Sequence, residues 1–164
     1  MVSGRLPPLR RVLVVCAHPD DESFGLGAIL AALAGGGAQV TVLADGRALV
    51  TGGVGSFGPG APLLRAAEVF DPRTNGWVKT SPMQSARLTH SAVLLADGRV
   101  LVAGCGAGES VARAEVWSPS DGRWTVAGNV QAENPMGRLF AFGDGSAMFV
   151  PVREPIELWL PRKP

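Results

Sequence analysis

Ser91-Ala92-Val93-Leu94-Leu95-Ala96-Asp97-Gly98-Arg99-Val100-Leu101-Val102-Ala103-Gly104 reads as two short apolar strands on either side of an Asp-Gly turn. Asp-Gly accepts the positive φ of a two-residue hairpin loop, so the stretch predicts an antiparallel hairpin. The same reading recurs along the chain. Ala44-Asp45-Gly46-Arg47 precedes Ala96-Asp97-Gly98-Arg99, and Asp144-Gly145 is a third copy. Glu68-Val69-Phe70-Asp71-Pro72 returns as Glu115-Val116-Trp117-Ser118-Pro119 and again as Glu157-Leu158-Trp159-Leu160-Pro161. Trp77 and Trp124 hold one further equivalent position, 47 residues apart. Each copy therefore predicts a third strand on the Glu-Val-aromatic run, closed by its proline, and the first two copies predict a fourth strand opening at Trp77 or Trp124. Gly52-Gly53, with Gly104-Cys105 in the next copy, marks a place where close backbone packing leaves no room for a side chain.

A repeat near 50 residues, with its length changes confined to loops, resembles the kelch family of β-propeller repeats across nearly all of Ala44–Pro164. The repeats fall at about 44–90, 91–138 and 139–164; Cys105, in place of the second glycine, and the third copy depart from the family pattern. The resemblance implies a mainly β fold, an incomplete kelch-type propeller of two blades and part of a third. Propellers close on about four to eight blades. An open set exposes strand edges, which predicts a protein partner or self-association.

The first 43 residues carry a different pattern. Val12-Leu13-Val14-Val15-Cys16 is a continuous apolar run of the kind buried on both faces of a parallel sheet. A polar loop follows, then a helix-forming stretch from Phe24 to Leu33 stopped by Gly35-Gly36-Gly37, then an apolar strand from Gln39 to Leu43. The order predicts a βαβ unit with His18–Glu22 at the carboxyl end of its first strand, where open α/β sheets place ligands. Gln39–Leu43 serves both patterns, as second strand of the βαβ unit and as first strand of the hairpin turning at Asp45-Gly46, so a junction between two families falls inside one strand.

Ala17-His18-Pro19-Asp20-Asp21-Glu22 resembles the hallmark of the LmbE/PIG-L family of zinc-dependent N-acetylglucosaminyl deacetylases. The resemblance implies that His18 and Asp21 bind zinc and that Asp20 is the general base, with an N-acetylated amino sugar as substrate. Imidazole and carboxylate are good zinc ligands, and the cation brings its bound water toward a pKa of about 7. Read structurally instead, the acids cap the first turn of the helix. A catalytic zinc takes about three protein ligands, and the third is not identified: His90 is the other histidine of the chain and belongs to the repeats, while Glu22 and Asp45 have no supporting spacing. Arg87 and His90 lead into a repeat's first strand, where the plain reading has their side chains bonding neighbouring backbone. Gly52–Gly60 lacks the Gly-Lys-Ser/Thr of a phosphate loop.

Composition excludes other classes. With 46% apolar and 18% charged residues the 164-residue chain is too hydrophobic to be disordered, and 22 glycines with 13 prolines suit short strands. A formal charge of +1, without Lys/Arg clusters, argues against nucleic acid. The Val12–Ala17 run is too short for a signal core or a membrane span. Cys16 and Cys105, apart and in apolar sequence, read as free thiols of the cytoplasm rather than a disulfide framework. The expected function is a kelch-type interaction or structural module with a vestigial deacetylase segment and no catalysis of its own. Its alternatives are a zinc-dependent deacetylase, and a fusion or gene fragment without function.

Overall fold

The computed structural model describes residues 37–55, 60–104, 112–130, 136–152 and 155–160. Eleven strands occupy this region, and none of the described residues is helical. β1 (Ala38–Val42), β2 (Ala48–Gly52), β3 (Ala67–Asp71) and β4 (Gly76–Lys79) form the first sheet in chain order. The second sheet takes β5 (Ser91–Leu94), β6 (Val100–Ala103), β7 (Ala112–Trp117) and β8 (Trp124–Val130), again in chain order. The third has β9 (Gly137–Ala141), β10 (Ala147–Pro151) and β11 (Glu157–Trp159), with β10 in the middle. Every pairing is antiparallel. The fold is mainly β, as the repeats require.

The three sheets are copies of one unit down to the register. Ala48 faces Phe70, Val100 faces Trp117 and Ala147 faces Trp159 across the second and third strands. In the two four-stranded sheets the aromatic then faces the tryptophan that opens the fourth strand, Phe70 against Trp77 and Trp117 against Trp124. β1 begins at Ala38, ahead of the repeat start read at residue 44, because its five residues pair with β2 through the hairpin. The helix-forming stretch and Val12–Cys16 lie outside the described residues.

The Asp-Gly hairpins differ from expectation in one respect. The loop is three residues long, not two: the Leu95 amide donates to the Arg99 carbonyl at 2.8 Å, and Gly98 donates back to Leu95 at 3.0 Å. Asp97 therefore keeps an ordinary negative φ and only Gly98, at φ 85°, crosses to the left-handed side, the combination of a type I turn followed by a single left-handed residue. Leu43, Gly46 and Arg47 reproduce the pattern, as do Phe142, Gly145 and Ser146. The aspartate side chain fixes each turn by accepting the amide two residues on, from Arg47 at 3.1 Å, Arg99 at 3.0 Å and Ser146 at 2.9 Å.

Sheets stack face to face. Leu43, Leu49, Ala67, Val69 and Met83 meet Val100, Val102, Trp117 and Trp124 between the first and second sheets. Leu101, Ala103, Ala114, Val116 and Val130 meet Leu139, Ala147 and Phe149 between the second and third. Period-2 alternation sends successive residues of β6 to opposite cores, which is why all four of them are buried. The first strands of the sheets lie side by side, β1 beside β5 and β5 beside β9.

Candidate functional site

Polar side chains collect at the joint between the first two sheets, where the segment joining β4 to β5 crosses from one to the other. Arg87 is entirely buried there. Its Nη1 donates to the Gly104 carbonyl at 2.7 Å, and its Nη2 donates to the Arg113 carbonyl and, at 2.9 Å, to the carboxylate of Glu115 on β7. Glu115, also entirely buried, accepts the backbone amides of Gln84 at 2.7 Å and Ser85 at 3.1 Å as well. One carboxylate thus holds a loop amide pair and a guanidinium, so the desolvation of both charges is offset by directed bonds.

His90 stands beside this pair. Its Nε2 shares a hydrogen bond of 2.8 Å with the Thr51 hydroxyl on β2, while Nδ1, like Arg87 Nε, is buried without a hydrogen-bond partner among the described residues. Burial first, and the Arg87 charge second, push its pKa down to about 3, so the imidazole is neutral at neutral pH. Thr89, just before it, is held at φ 53°, with its amide donating to the Gly37 carbonyl at 3.1 Å. A β-branched residue in the left-handed region costs on the order of 1–3 kcal/mol, which the surrounding joint must impose.

Gly52 and Gly53 explain why the joint closes. Both have positive φ, 67° and 93°. A Cβ on Gly52 would come within 2.6 Å of the Arg87 carbonyl oxygen and 2.8 Å of His90 Cε1, and the Gly53 amide donates to that same carbonyl at 2.8 Å. The diglycine is the seat into which the next sheet's lead-in segment presses. Outside it, Thr80 accepts Trp117 Nε1 at 2.9 Å and donates to the Gly122 carbonyl at 2.6 Å.

The chemistry available to this constellation is bracing. The ion pair's charges face one another, the carboxylate's neighbours are amides, and the imidazole is tied to a threonine. Arg87 bonds backbone, but that of Gly104 and Arg113 rather than of its sequence neighbours, and His90 bonds a hydroxyl instead of backbone; Glu115, Thr51 and Thr80 escape sequence reading because their partners lie 28, 39 and 37 residues away. The signal for Glu115 was present in Ala114-Glu115-Val116, a carboxylate within an apolar strand, which demands a cation.

His18, Asp20 and Asp21 lie outside the described residues, as do Glu22 and both cysteines. Among the described residues no group of three or more His, Cys, Asp or Glu comes together. Asp45, weighed as a substitute ligand, sits in its hairpin with Arg47 on both carboxylate oxygens. Its slight burial works to raise its pKa, and the bonds from the Arg47 amide and side chain outweigh that and leave it lowered. No described helix is long and apolar enough to cross a membrane.

No family model matches the chain. Over 43 residues it is 54% identical to a 1D-myo-inositol 2-acetamido-2-deoxy-alpha-D-glucopyranoside deacetylase of Kineococcus radiotolerans, a match that takes in 26% of this chain and 12% of that protein. Among solved structures it is similar to a fungal alcohol oxidase of the AA5 family in complex with copper, with a TM-score of 0.54 and 26% identity over 68% of this chain and 24% of that one. The two likenesses are to proteins of different kinds, and the chain spans about an eighth of the deacetylase and a quarter of the oxidase.

Proposed function

We propose that this chain is a kelch-type repeat module, acting as an interaction or structural element in the cytoplasm, with a deacetylase-like segment at its start that has no catalysis of its own. The observation that carries the reading is the use made of Arg87, Glu115 and His90. The most chemically capable side chains of the described region are spent on joining one repeat to the next, and His90, the histidine outside the Ala-His-Pro-Asp-Asp-Glu motif, is committed to Thr51. The exposed apolar residues of the third sheet supply a contact surface. Phe140 and Leu158 flank Met148 in register on the face turned away from the second sheet, 50% and 62% exposed, and such a patch marks an interaction site.

A second reading, a zinc-dependent hydrolase acting on an N-acetylated amino sugar, is favoured by the deacetylase match. In it His18 and Asp21 would hold the metal and Asp20 would take up a proton, with zinc supplying an activated water. The third, a fusion or fragment without function, follows from the meeting of two patterns within β1. Metal analysis of the purified chain separates them. The module reading expects no stoichiometric zinc; about one zinc per chain, lost in His18→Ala, would replace it with the hydrolase.

A further inference from the structure

We infer that Asn75-Gly76, at the tip joining β3 to β4, is a site of spontaneous covalent modification, where the asparagine side chain cyclises onto the following amide and is converted to aspartate and isoaspartate. Residues Pro72 to Asn75 make the turn, and Asn75 is exposed at its end, immediately before Gly76 opens β4. Asn75 is held at φ 50°, a left-handed conformation that asparagine tolerates better than most residues. The second sheet shows what this place requires. At the equivalent positions, 47 residues on, Gly122 takes the left-handed conformation at φ 68° and Arg123 stands in place of Gly76. A side chain therefore fits where the fourth strand begins. A Cβ on Gly76 itself would meet nothing nearer than the Thr74 hydroxyl at 3.3 Å, and Gly76 lies outside the left-handed region. Neither space nor backbone conformation calls for glycine there. What its bare Cα does is leave the Gly76 nitrogen unshielded beside the Asn75 side-chain amide.

The reaction balances with water as its co-reactant. The Gly76 nitrogen bonds to Asn75 Cγ, the bond from that carbon to the side-chain nitrogen breaks, and the proton of the attacking amide leaves with it as ammonia. Water then opens the cyclic imide at either carbonyl, giving aspartate on the ordinary main chain or isoaspartate, whose main chain runs through the former side chain. Exposed loop tips have the freedom this needs. Pairing of Gly76 with Asp71 opposes it, because the nitrogen must leave the end of the ladder to attack, so the folded chain reacts more slowly than an unfolded one. Either product adds a negative charge to a tip where Asp71 already accepts the Arg73 amide at 2.9 Å. Isoaspartate also lengthens the main chain just ahead of Trp77, whose register opposite Phe70 the turn sets.

This chemistry needs neither the module reading nor its alternatives. Its test is incubation of the whole chain in mildly alkaline buffer, followed by tryptic digestion and mass spectrometry. Cleavage after Arg73 and Lys79 releases Thr74–Lys79, which should gain the mass of amide-to-acid exchange progressively and contain isoaspartate. Asn129 precedes the β-branched Val130, and Asn134 precedes Pro135, whose nitrogen carries no proton; both should keep their amides over the same period. Gly76→Ala, which the fold accommodates, should slow the gain severalfold by crowding the attacking nitrogen. An unchanged Thr74–Lys79 mass in the aged folded chain would overturn the site, as would equal rates in Gly76→Ala and the unaltered chain.

Discussion

Arg87 and Glu115 form an ion pair of 2.9 Å with both side chains wholly removed from solvent, one on the segment leading into the second sheet and the other on that sheet's third strand. Removing one member strands the other. Arg87→Met should cost about 3–5 kcal/mol in unfolding free energy, and adding Glu115→Leu should restore little of it, because the Gln84 and Ser85 amides then lose their acceptor. Denaturant titration of the two variants decides this; a single replacement that leaves the midpoint unchanged would mean the pair does not brace the joint.

His90 makes the fold sensitive to acid. Its folded pKa, about 3, lies below the unfolded value of 6.5, so between those limits the unfolded chain takes up a proton that the folded chain refuses, and stability falls as pH drops. The slope is about 1.4 kcal/mol per pH unit once the unfolded imidazole is fully charged. The turn aspartates Asp45, Asp97 and Asp144 have lowered pKa values and add their own loss below the ordinary carboxylate range. Measurements between pH 5 and 6 therefore isolate the histidine. His90→Gln, which can still bond Thr51, should flatten the slope there; an unaltered slope would refute the assignment.

Two glycines with similar backbone should respond differently to alanine. Gly46, at φ 88°, has open space where a Cβ would go, so Gly46→Ala meets backbone strain alone, about 1–2 kcal/mol. Gly52→Ala adds contacts of 2.6 and 2.8 Å with Arg87 and His90 and must spread the joint. Thermal melts should place Gly52→Ala well below Gly46→Ala, and equal melting temperatures would show that the seat is not tight.

The exposed face of the third sheet should drive association. Phe140→Lys together with Leu158→Lys places charge on both flanks of Met148 without entering the core. Light scattering of the unaltered chain should show concentration-dependent oligomers that shrink in the double variant; a monodisperse monomer in both would remove this face as a contact.

Repeat structure was legible in the sequence because it rests on short-range chemistry. Asp97-Gly98 announces a turn, Glu115-Val116-Trp117 a strand and Trp124 the start of the next, and β5 to β8 lie on those segments. The turn's third residue escaped, because Asp-Gly fits both a two-residue loop and a type I turn with a left-handed glycine. What joins the sheets was not legible. Thr51 and His90 come together only after two hairpins have formed, and nothing in either residue's neighbourhood names the other. The deacetylase-like motif shows the converse: six consecutive residues, Ala17–Glu22, suffice to suggest an ancestry, yet a metal site is a property of side chains brought together from a whole domain.

The joint between the first two sheets ties them at three points: the Arg87–Glu115 pair with its loop amides, the His90–Thr51 bond and the Gly53 amide on the Arg87 carbonyl. Stacked units that touch their neighbours share stability through such couplings. Amide protons of β2 and β6 should therefore exchange with solvent on one timescale, and loosening the lead-in segment between the sheets should quicken exchange on both sides of it together.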